Sequence, residues 1–279
     1  MIRVGVVVSV LVALCLGCAA TAQAQSVVWA VGDGADDSDE ARAMAAQIIA
    51  DDPDRFLYLG DVYPNGTAQD FRLGYEPIYG PLKPITWPTP GNHEWDNRLT
   101  GYYPYWRPRV TKPFYRVRIA GWEVYSLNSE TRTDRRSPQV KWLKKRLARN
   151  TGTCRIGFWH RPRYSPGANH GDEPKMAGLW NALKRRARLV LNAHDHIMAR
   201  MKRRDGISGY ISGTGGDTLY TTRRDARAAF TTDPQQGALR MVLSRGRATL
   251  QFRSATNAVL DSSSVRCKPL KKRAPRRRG

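Results

Sequence analysis

The chain has 279 residues, of which 46 are Lys or Arg and 24 are Asp or Glu, so its formal net charge at neutral pH is +22. A hydrophobic fraction of 41%, with eight Trp and twelve Tyr, is enough to build a core and excludes an intrinsically disordered protein. No apolar run reaches the roughly 20 residues that a membrane-spanning helix needs.

Residues 1–24 predict a secretory signal peptide. Arg3 precedes an apolar run that ends at Leu16, and Ala22-Gln23-Ala24 supplies the small residues of a cleavage site. We therefore expect a secreted protein, extracellular or periplasmic. Lipoprotein anchoring at Cys18 is the weaker alternative, because a cysteine rather than a leucine stands three residues before it.

The rest of the chain predicts one domain, residues 25–267, followed by a basic tail, residues 268–279. The tail contains seven cationic residues and no acidic one, so we expect it to be disordered. Export would allow the two remaining cysteines, Cys154 and Cys267, to pair, although the sequence does not show that they meet. The positive surface and tail would attract an anionic surface or nucleic acid without identifying either.

In the first half of the domain, three predicted strands each end in a glycine and a polar residue. The strands cover residues 26–31, 55–59 and 84–89 and are followed by Gly32-Asp33, Gly60-Asp61 and Gly91-Asn92-His93-Glu94. Helices are predicted over 38–50 and 67–79. Ligands of open α/β sheets bind at the carboxyl ends of strands, so these turns mark a candidate site.

The second half of the domain contains more β structure. In chain order it predicts a hairpin over 114–127, a helix over 138–149, a strand over 155–159, a helix over 175–185, a strand over 189–191, and strands over 210–212, 239–243, 248–252 and 258–262. Strand–helix units followed by hairpins predict an α/β fold in which two sheets pack together under helices.

All five histidines of the chain fall at or just beyond the ends of predicted strands. They are His93, His160, His170, His194 and His196. Together with Asp33, Asp61 and Asn92 they offer carboxylate, amide and imidazole ligands, which suit divalent or trivalent ions of borderline hardness. No cysteine accompanies them, so a structural zinc site built on thiolates is excluded.

Five short motifs resemble, in the same order, those of the calcineurin-like metallophosphoesterases and of the purple acid phosphatase branch in particular. They are Gly32-Asp33, Gly60-Asp61, Gly91-Asn92-His93-Glu94, His160 and His194-Asp195-His196. The resemblance spans residues 28–216. It implies a four-layer α/β/β/α sandwich of two mixed sheets flanked by helices. It also implies a dinuclear metal centre of Fe, Zn, Mn or Mg, and the ligand types do not choose among these metals.

The resemblance also implies how the metal ligands are divided. Asp61 would bridge the two ions, Asp33 and His196 would hold the first, and Asn92, His160 and His194 would hold the second. Residues two apart on a straight strand point to opposite faces. His194 and His196 can therefore both reach metal only if the chain turns over 193–197.

The implied activity is hydrolysis of phosphomonoesters by attack of a metal-activated hydroxide. Asn92, His93 and His170 would contact the phosphate, and His93 and His170 would be catalytic. For His170 the alternative is a solvated loop histidine. Glu94 would orient the neighbouring groups.

The second aspartate motif departs from that of the purple acid phosphatases, in which a tyrosine ligand stands three residues after the aspartate. Here Tyr63 comes two residues after Asp61. On extended chain this shift turns the side chain to the other face, so the sequence argues against Tyr63 as a ligand. Two other functions stay open: a phosphodiesterase or nuclease, and a non-catalytic exported protein that binds polyanions.

Overall fold

A computed structural model describes residues 24–35, 38–232 and 235–271. Nearly all of the predicted signal peptide, with Cys18, and residues 272–279 of the predicted tail lie outside this part of the chain. Within it, no helix is both long enough and apolar enough to cross a membrane.

Thirteen strands in the described residues form two mixed sheets. The strands are β1 Ser26–Val31, β2 Arg55–Tyr58, β3 Thr86–Pro88, β4 Tyr115–Ile119, β5 Trp122–Ser126, β6 Arg155–Phe158, β7 Leu189–Asn192, β8 Met198–Met201, β9 Ser208–Ser212, β10 Ala228–Thr232, β11 Gly237–Ser244, β12 Arg247–Ser254 and β13 Val259–Arg266. The first sheet has the order β13-β12-β11-β1-β2-β3 and the second β10-β8-β9-β7-β6-β5-β4. β1, β2 and β3 are parallel, as are β5, β6, β7 and β9.

The helices flank these sheets. They are α1 Asp39–Ala50, α2 Ala68–Asp70, a π-helical turn Phe71–Tyr75, α3 Glu76–Tyr79, a 3₁₀ helix Gly80–Ile85, α4 Asn92–Trp95, α5 Tyr102–Trp106, α6 Pro138–Leu147, a 3₁₀ helix Pro174–Met176 and α7 Ala177–Leu183. Ser38 begins α1 because its side chain accepts a hydrogen bond from the Ala41 amide. The predicted strands and helices are all present, with ends shifted by a few residues. β8 and β10 were not predicted; both are short and carry Arg, Thr or Ala rather than a run of large apolar residues.

Successive side chains of a strand point to opposite faces of its sheet, so each sheet packs against the other sheet on one face and against helices on the other. In β1, Val28 and Ala30 point into the core between the two sheets, whereas Trp29 and Val31 point outward and pack under helices that include α1. On the far side, α6 and α7 cover the outer face of the second sheet. The predicted four-layer α/β/β/α sandwich is confirmed.

A disulfide between Cys154 and Cys267 joins the residue before β6 to the residue after β13, and their Cα atoms are 5.0 Å apart. The chain beyond it stays attached: Thr153 donates its amide hydrogen to the Lys268 carbonyl (2.7 Å), and Lys271 donates its amide hydrogen to Asn150 Oδ1 (3.2 Å). Hydrogen bonds therefore hold residues 268–271, which the sequence analysis places in the tail, against the segment before β6.

A buried ion pair anchors the second sheet at the end opposite the histidines. Arg155 is fully buried, and its Nε donates to Glu123 Oε2 at 3.1 Å. Its two Nη atoms donate to backbone carbonyls, among them those of Asn150 (2.9 Å) and Arg186 (3.1 Å). Burial alone would raise the pKa of Glu123, but the hydrogen bonds from Tyr125 and Arg155 outweigh it and lower that pKa.

We expect Arg155→Met to lower the free energy of unfolding by about 3–5 kcal/mol, because it removes the buried charge that pairs with Glu123 and leaves several buried carbonyls without their donor. Arg118→Met is the matched control, since Arg118 approaches the same carboxylate at 3.4 Å from an exposed position. Its cost should stay below about 1 kcal/mol. Denaturant unfolding measures both, and equal costs would contradict the anchoring role.

Candidate metal centre

The predicted site residues meet at one end of the sandwich, where the parallel strands of both sheets end. Three of them, Asp33, Asp61 and His194, adopt left-handed backbone with φ of 57°, 66° and 70°. This conformation is unfavourable for residues with a Cβ and tends to cluster at functional sites. It turns the chain sharply at each strand end, and the turn required over 193–197 is confirmed by the break between β7 and β8.

Asp61, His160 and His194 form a compact buried group in which one ligand atom of each lies within 4.8 Å of the others. His160 Nε2 is 3.1 Å from Asp61 Oδ2 and 3.1 Å from His194 Nδ1. His160 Nδ1 donates to the Leu59 carbonyl at 3.0 Å, which leaves Nε2 for the centre.

Asp33, His196 and Tyr63 form a second group beside the first. Asp33 Oδ1 lies 3.7 Å from His196 Nε2, and Tyr63 Oη lies 3.2 Å from Asp33 Oδ1 and 3.0 Å from His196 Nε2. His196 Nδ1 donates to the Thr218 carbonyl at 2.6 Å. The two groups adjoin, because His160 Nε2 is 3.9 Å from Asp33 Oδ1.

The position of Tyr63 corrects the sequence-based argument against it. That argument assumed extended chain after Asp61, but the left-handed backbone at Asp61 redirects the residues that follow. The phenol therefore enters the centre even though it stands only two residues after the aspartate.

Asn92 is the remaining predicted ligand. Its side-chain oxygen Oδ1 is buried and has no hydrogen-bond partner. Both neighbours of Asn92 touch Asp61: the His93 amide donates to Asp61 Oδ1 at 3.1 Å, and a Cβ on Gly91 would lie 2.0 Å from that same oxygen. Glu94 Oε2 accepts from the amides of Asp61 (3.0 Å) and Gly91 (3.1 Å), so it positions this turn as expected.

His93 and His170 lie at the open side of the centre. His93 Nε2 is 3.8 Å from Asp61 Oδ2, and 35% of its side chain is exposed. The exposed ring of His170 stacks on His194 with 4.0 Å between ring centroids. The structure therefore brings both histidines to the candidate site, including the one for which a solvated loop was the alternative.

Three further residues at the site were not predicted. Asp195 is buried and accepts from the amides of His170 (3.1 Å) and Gly171 (3.1 Å), so it ties the His170 loop to the centre. Arg161 Nη1 is 2.9 Å from His194 Nε2, and the Tyr220 ring stacks on His196 at 4.0 Å. Of these three, only Asp195 could have been noticed in the sequence, because it stands between two predicted ligand histidines.

The buried carboxylates of the centre favour a positive charge close to them. Burial raises the pKa of Asp33 to about 6. Burial would lower the pKa of His160, but the carboxylates of Asp61 and Asp33 outweigh it and raise that pKa to about 10. Burial would likewise raise the pKa of Asp61, but the charge of His160 outweighs it and lowers that pKa. A proton on His160 thus supplies a cation that a metal ion would replace.

The residues present fit a pair of metal ions. Two carboxylates, one unpartnered amide oxygen and three imidazole nitrogens meet in a buried space, and the rings of His160 and His196 are oriented by carbonyls that accept from Nδ1. The first ion would be held by Asp33, His196 and Tyr63, the second by Asn92, His160 and His194, with Asp61 between them.

Comparisons with known proteins identify a family and similar folds. The model of the calcineurin-like phosphoesterase family matches residues 26–198. The fold is similar to that of purple acid phosphatase PPD1 from yellow lupin seeds, at 16% identity and a TM-score of 0.73. The match covers 88% of this chain and 54% of the lupin chain, so this chain spans about half the length of the lupin enzyme.

Two other solved structures share the fold. One is GAP50, the anchor in the inner membrane complex of Plasmodium, at 16% identity and a TM-score of 0.71, covering 89% of this chain and 90% of that one. The other is a dimetal phosphatase from Danio rerio, at 11% identity and a TM-score of 0.60, covering 86% of this chain and 98% of that one. A search of curated proteins finds no significant match.

We expect Asn92→Ala to weaken metal binding without destabilising the metal-free fold. Removal of a buried oxygen without a partner should leave the metal-free protein at least as stable as the wild type, while the stabilisation provided by added metal shrinks. Thermal unfolding with and without metal, together with metal content per chain, measures both effects. Asn97→Ala is the control, because the Asn97 amide donates to the Asn65 carbonyl outside the centre. Full metal stabilisation of Asn92→Ala would contradict its role as a ligand.

Tyr63 gives a spectroscopic test of the first group. Protein loaded with ferric iron should show a visible absorption band from tyrosinate coordination, and Tyr63→Phe should lose it while retaining its fold. Tyr220→Phe should keep the band, because Tyr220 only stacks on the His196 ring. A band of unchanged intensity in Tyr63→Phe would show that the phenol does not bind the metal.

Proposed function

Because the chain belongs to the calcineurin-like phosphoesterase family, we propose that it is a secreted metal-dependent phosphoesterase that hydrolyses phosphomonoesters. The observation that carries this proposal is the buried group of Asp61, His160 and His194 joined to Asp33 and His196. A protein that only binds polyanions has no need of these buried groups or of the unfavourable backbone that presents them.

The chain's own residues would divide the work of hydrolysis. Two bound ions would activate water and take up the charge that develops on the phosphoryl oxygens. His93 donates Nδ1–H to the Pro64 carbonyl at 2.5 Å, which turns Nε2 toward the open side of the centre. From there a protonated His93 would donate to a phosphoryl oxygen or to the leaving oxygen.

His170 and Arg161 would hold the ester in place. The exposed ring of His170 presents its edge nitrogens beside His194, and Asp195 fixes the loop that carries it. Arg161 places a guanidinium next to the same histidine and is itself held by Glu130, with Nε 3.1 Å from each carboxylate oxygen. A fixed cation at this position would attract phosphate oxygens.

Export is part of the proposal and is supported by the covalent structure. The disulfide between Cys154 and Cys267 is of a kind that persists in oxidising compartments. It agrees with the predicted signal peptide and with an extracellular or periplasmic location.

The test is hydrolysis of aryl phosphates by the metal-loaded protein. We expect turnover of p-nitrophenyl phosphate to exceed that of bis(p-nitrophenyl) phosphate, and His194→Ala to lower it by about 100-fold or more with its fold intact by circular dichroism. Faster turnover of the diester would favour the phosphodiesterase alternative. Absence of hydrolysis by the wild type with any of Fe, Zn, Mn or Mg would leave the polyanion-binding alternative, and full activity of His194→Ala would overturn the two-metal site.

A further inference from the structure

Two adjoining clefts, which we call the arginine clefts, lie at the end of the second sheet opposite the metal centre. Strands β5 and β6 begin at this end with the paired residues Glu123 and Arg155. The first cleft has a volume of about 240 Å³ and is lined by Arg116, Arg118, Glu123, Arg146, Arg149 and Asn150. The second has a volume of about 210 Å³, and its lining includes Arg118, Arg245, Leu270 and Lys271.

The two clefts are continuous with each other. Arg118 lines both of them. Asn150 of the first cleft is hydrogen-bonded to Lys271 of the second: its Nδ2 donates to the Lys271 carbonyl at 3.1 Å, and the Lys271 amide donates to Asn150 Oδ1 at 3.2 Å. One extended ligand can therefore contact both clefts.

The lining of the clefts carries more positive than negative charge. Its single carboxylate, Glu123, already pairs with the buried Arg155 at 3.1 Å and also approaches Arg118 at 3.4 Å. In the described part of the chain, no carboxylate lies within ion-pair distance of Arg146 or Arg149. The same holds for the exposed Lys271, so the clefts have capacity for added anions.

The chemistry and size of the clefts indicate what kind of anion fits them. A guanidinium group offers a planar fork of donors that matches the oxygens of a sulfate, phosphate or carboxylate group. Glu123 holds the guanidinium groups of Arg116 and Arg118, so these forks are oriented in advance. Sites that enclose a whole small molecule have volumes of roughly 300–1,000 Å³. Each arginine cleft is smaller and would accept one charged unit of a longer ligand.

Other anionic partners fit this surface less well. No aromatic ring lines either cleft, so a nucleobase finds no face on which to stack. The large apolar side chains that are exposed in the described residues, Ile49, Leu73, Leu99 and Val259, do not line the clefts, so none of them would insert into a bilayer there. A concave surface also admits a chain more readily than a plane of lipid headgroups.

The chain itself does not supply an occupant for the clefts. The tail that follows Lys271 is cationic, and a second copy of the protein carries the same net charge of +22. Both would be repelled by the arginines rather than attracted. The occupant is therefore an anionic partner from outside the chain.

We propose that the arginine clefts bind a linear anionic glycan, with neighbouring charged groups of the glycan in the two clefts. The proposed export of the protein favours a glycan over a nucleic acid, whereas the inference does not depend on phosphoesterase activity. Because the clefts and the metal centre lie at opposite ends of the second sheet, the glycan would hold the protein in place and leave the metal centre open to soluble substrates.

The closing experiment measures binding of a heparin octasaccharide, a linear sulfated glycan, to the full chain by calorimetry. Arg146→Gln with Arg149→Gln should weaken binding about tenfold. The slope of log K against log salt concentration should fall in magnitude by about one to two, because two ionic contacts are removed.

The matched control is Lys141→Gln with Lys144→Gln, which removes the same charge from exposed positions of α6 outside the clefts. It should change binding and the salt slope less than about twofold. Equal losses in the two variants would show attraction by net charge alone and would overturn the proposal.

Folding and activity are measured on the same two variants. Neither removes a partner of Glu123, so both should unfold at the wild-type temperature. Hydrolysis of p-nitrophenyl phosphate should stay within about twofold of wild type, because the clefts lie away from the metal centre. If the wild type hydrolyses no aryl phosphate but the cleft variant still loses heparin binding, the phosphoesterase proposal fails and the glycan site stands.

Two further probes separate a glycan from the other anionic partners. They are a single-stranded oligonucleotide with the same charge as the octasaccharide, and vesicles that contain phosphatidylglycerol. We expect each to bind more weakly than heparin and to lose no more affinity in the cleft variant than in the control. Tighter binding of either probe, with the loss confined to the cleft variant, would overturn the assignment to a glycan.

Discussion

The hydrogen bonds that join the strand ends of the two sheets are the constraint on which the site depends. The Gly32 amide after β1 donates to the Ser212 carbonyl of β9 at 3.0 Å, and the His194 amide after β7 donates to Asp33 Oδ2 at 2.8 Å. His160, after β6, donates to the Leu59 carbonyl after β2. Each bond links one sheet to the other, so the ligands of both sheets are fixed relative to one another before any metal binds.

Close approach of backbone makes these links possible. A Cβ on Gly32 would lie 2.7 Å from the Ala193 side chain, and a Cβ on Gly215 would lie 2.6 Å from the Gly32 carbonyl oxygen. The glycine turn over 213–216 therefore packs closely against the chain that follows β1. The centre itself is unfavourable for folding, because it buries two carboxylates and leaves the Asn92 oxygen unpartnered. The apolar cores on both sides of each sheet, the disulfide and the Arg155 anchor supply the stability that this end of the molecule lacks.

Most strands and helices could be predicted from the sequence, because they depend on local patterns such as apolar runs that end in glycine. The division of the candidate ligands came from the family resemblance, and the structure places those residues at neighbouring strand ends. What could not be predicted depends on backbone direction and on contacts between distant segments. Tyr63 enters the centre only because Asp61 is left-handed, which spacing along extended chain does not show. Asp195 accepts a hydrogen bond from the amide of His170, which lies 25 residues earlier in the chain. The Lys268 carbonyl accepts one from the Thr153 amide, next to the disulfide. No periodicity in the sequence encodes such pairs.

The candidate site can bind cations despite the high net positive charge of the chain, because its carboxylates are buried. A surface with an excess of Lys and Arg repels metal ions, yet Asp33 and Asp61 are buried where the solvent screens their charge little, so their short-range attraction outweighs the surface repulsion. The same arrangement favours anionic substrates, since the cations are outside and the metal ligands inside. Arg161 lies at the boundary between the surface cations and the buried ligands, beside His194. Arg161 therefore offers positive charge to an anion directly beside the candidate metal ligands.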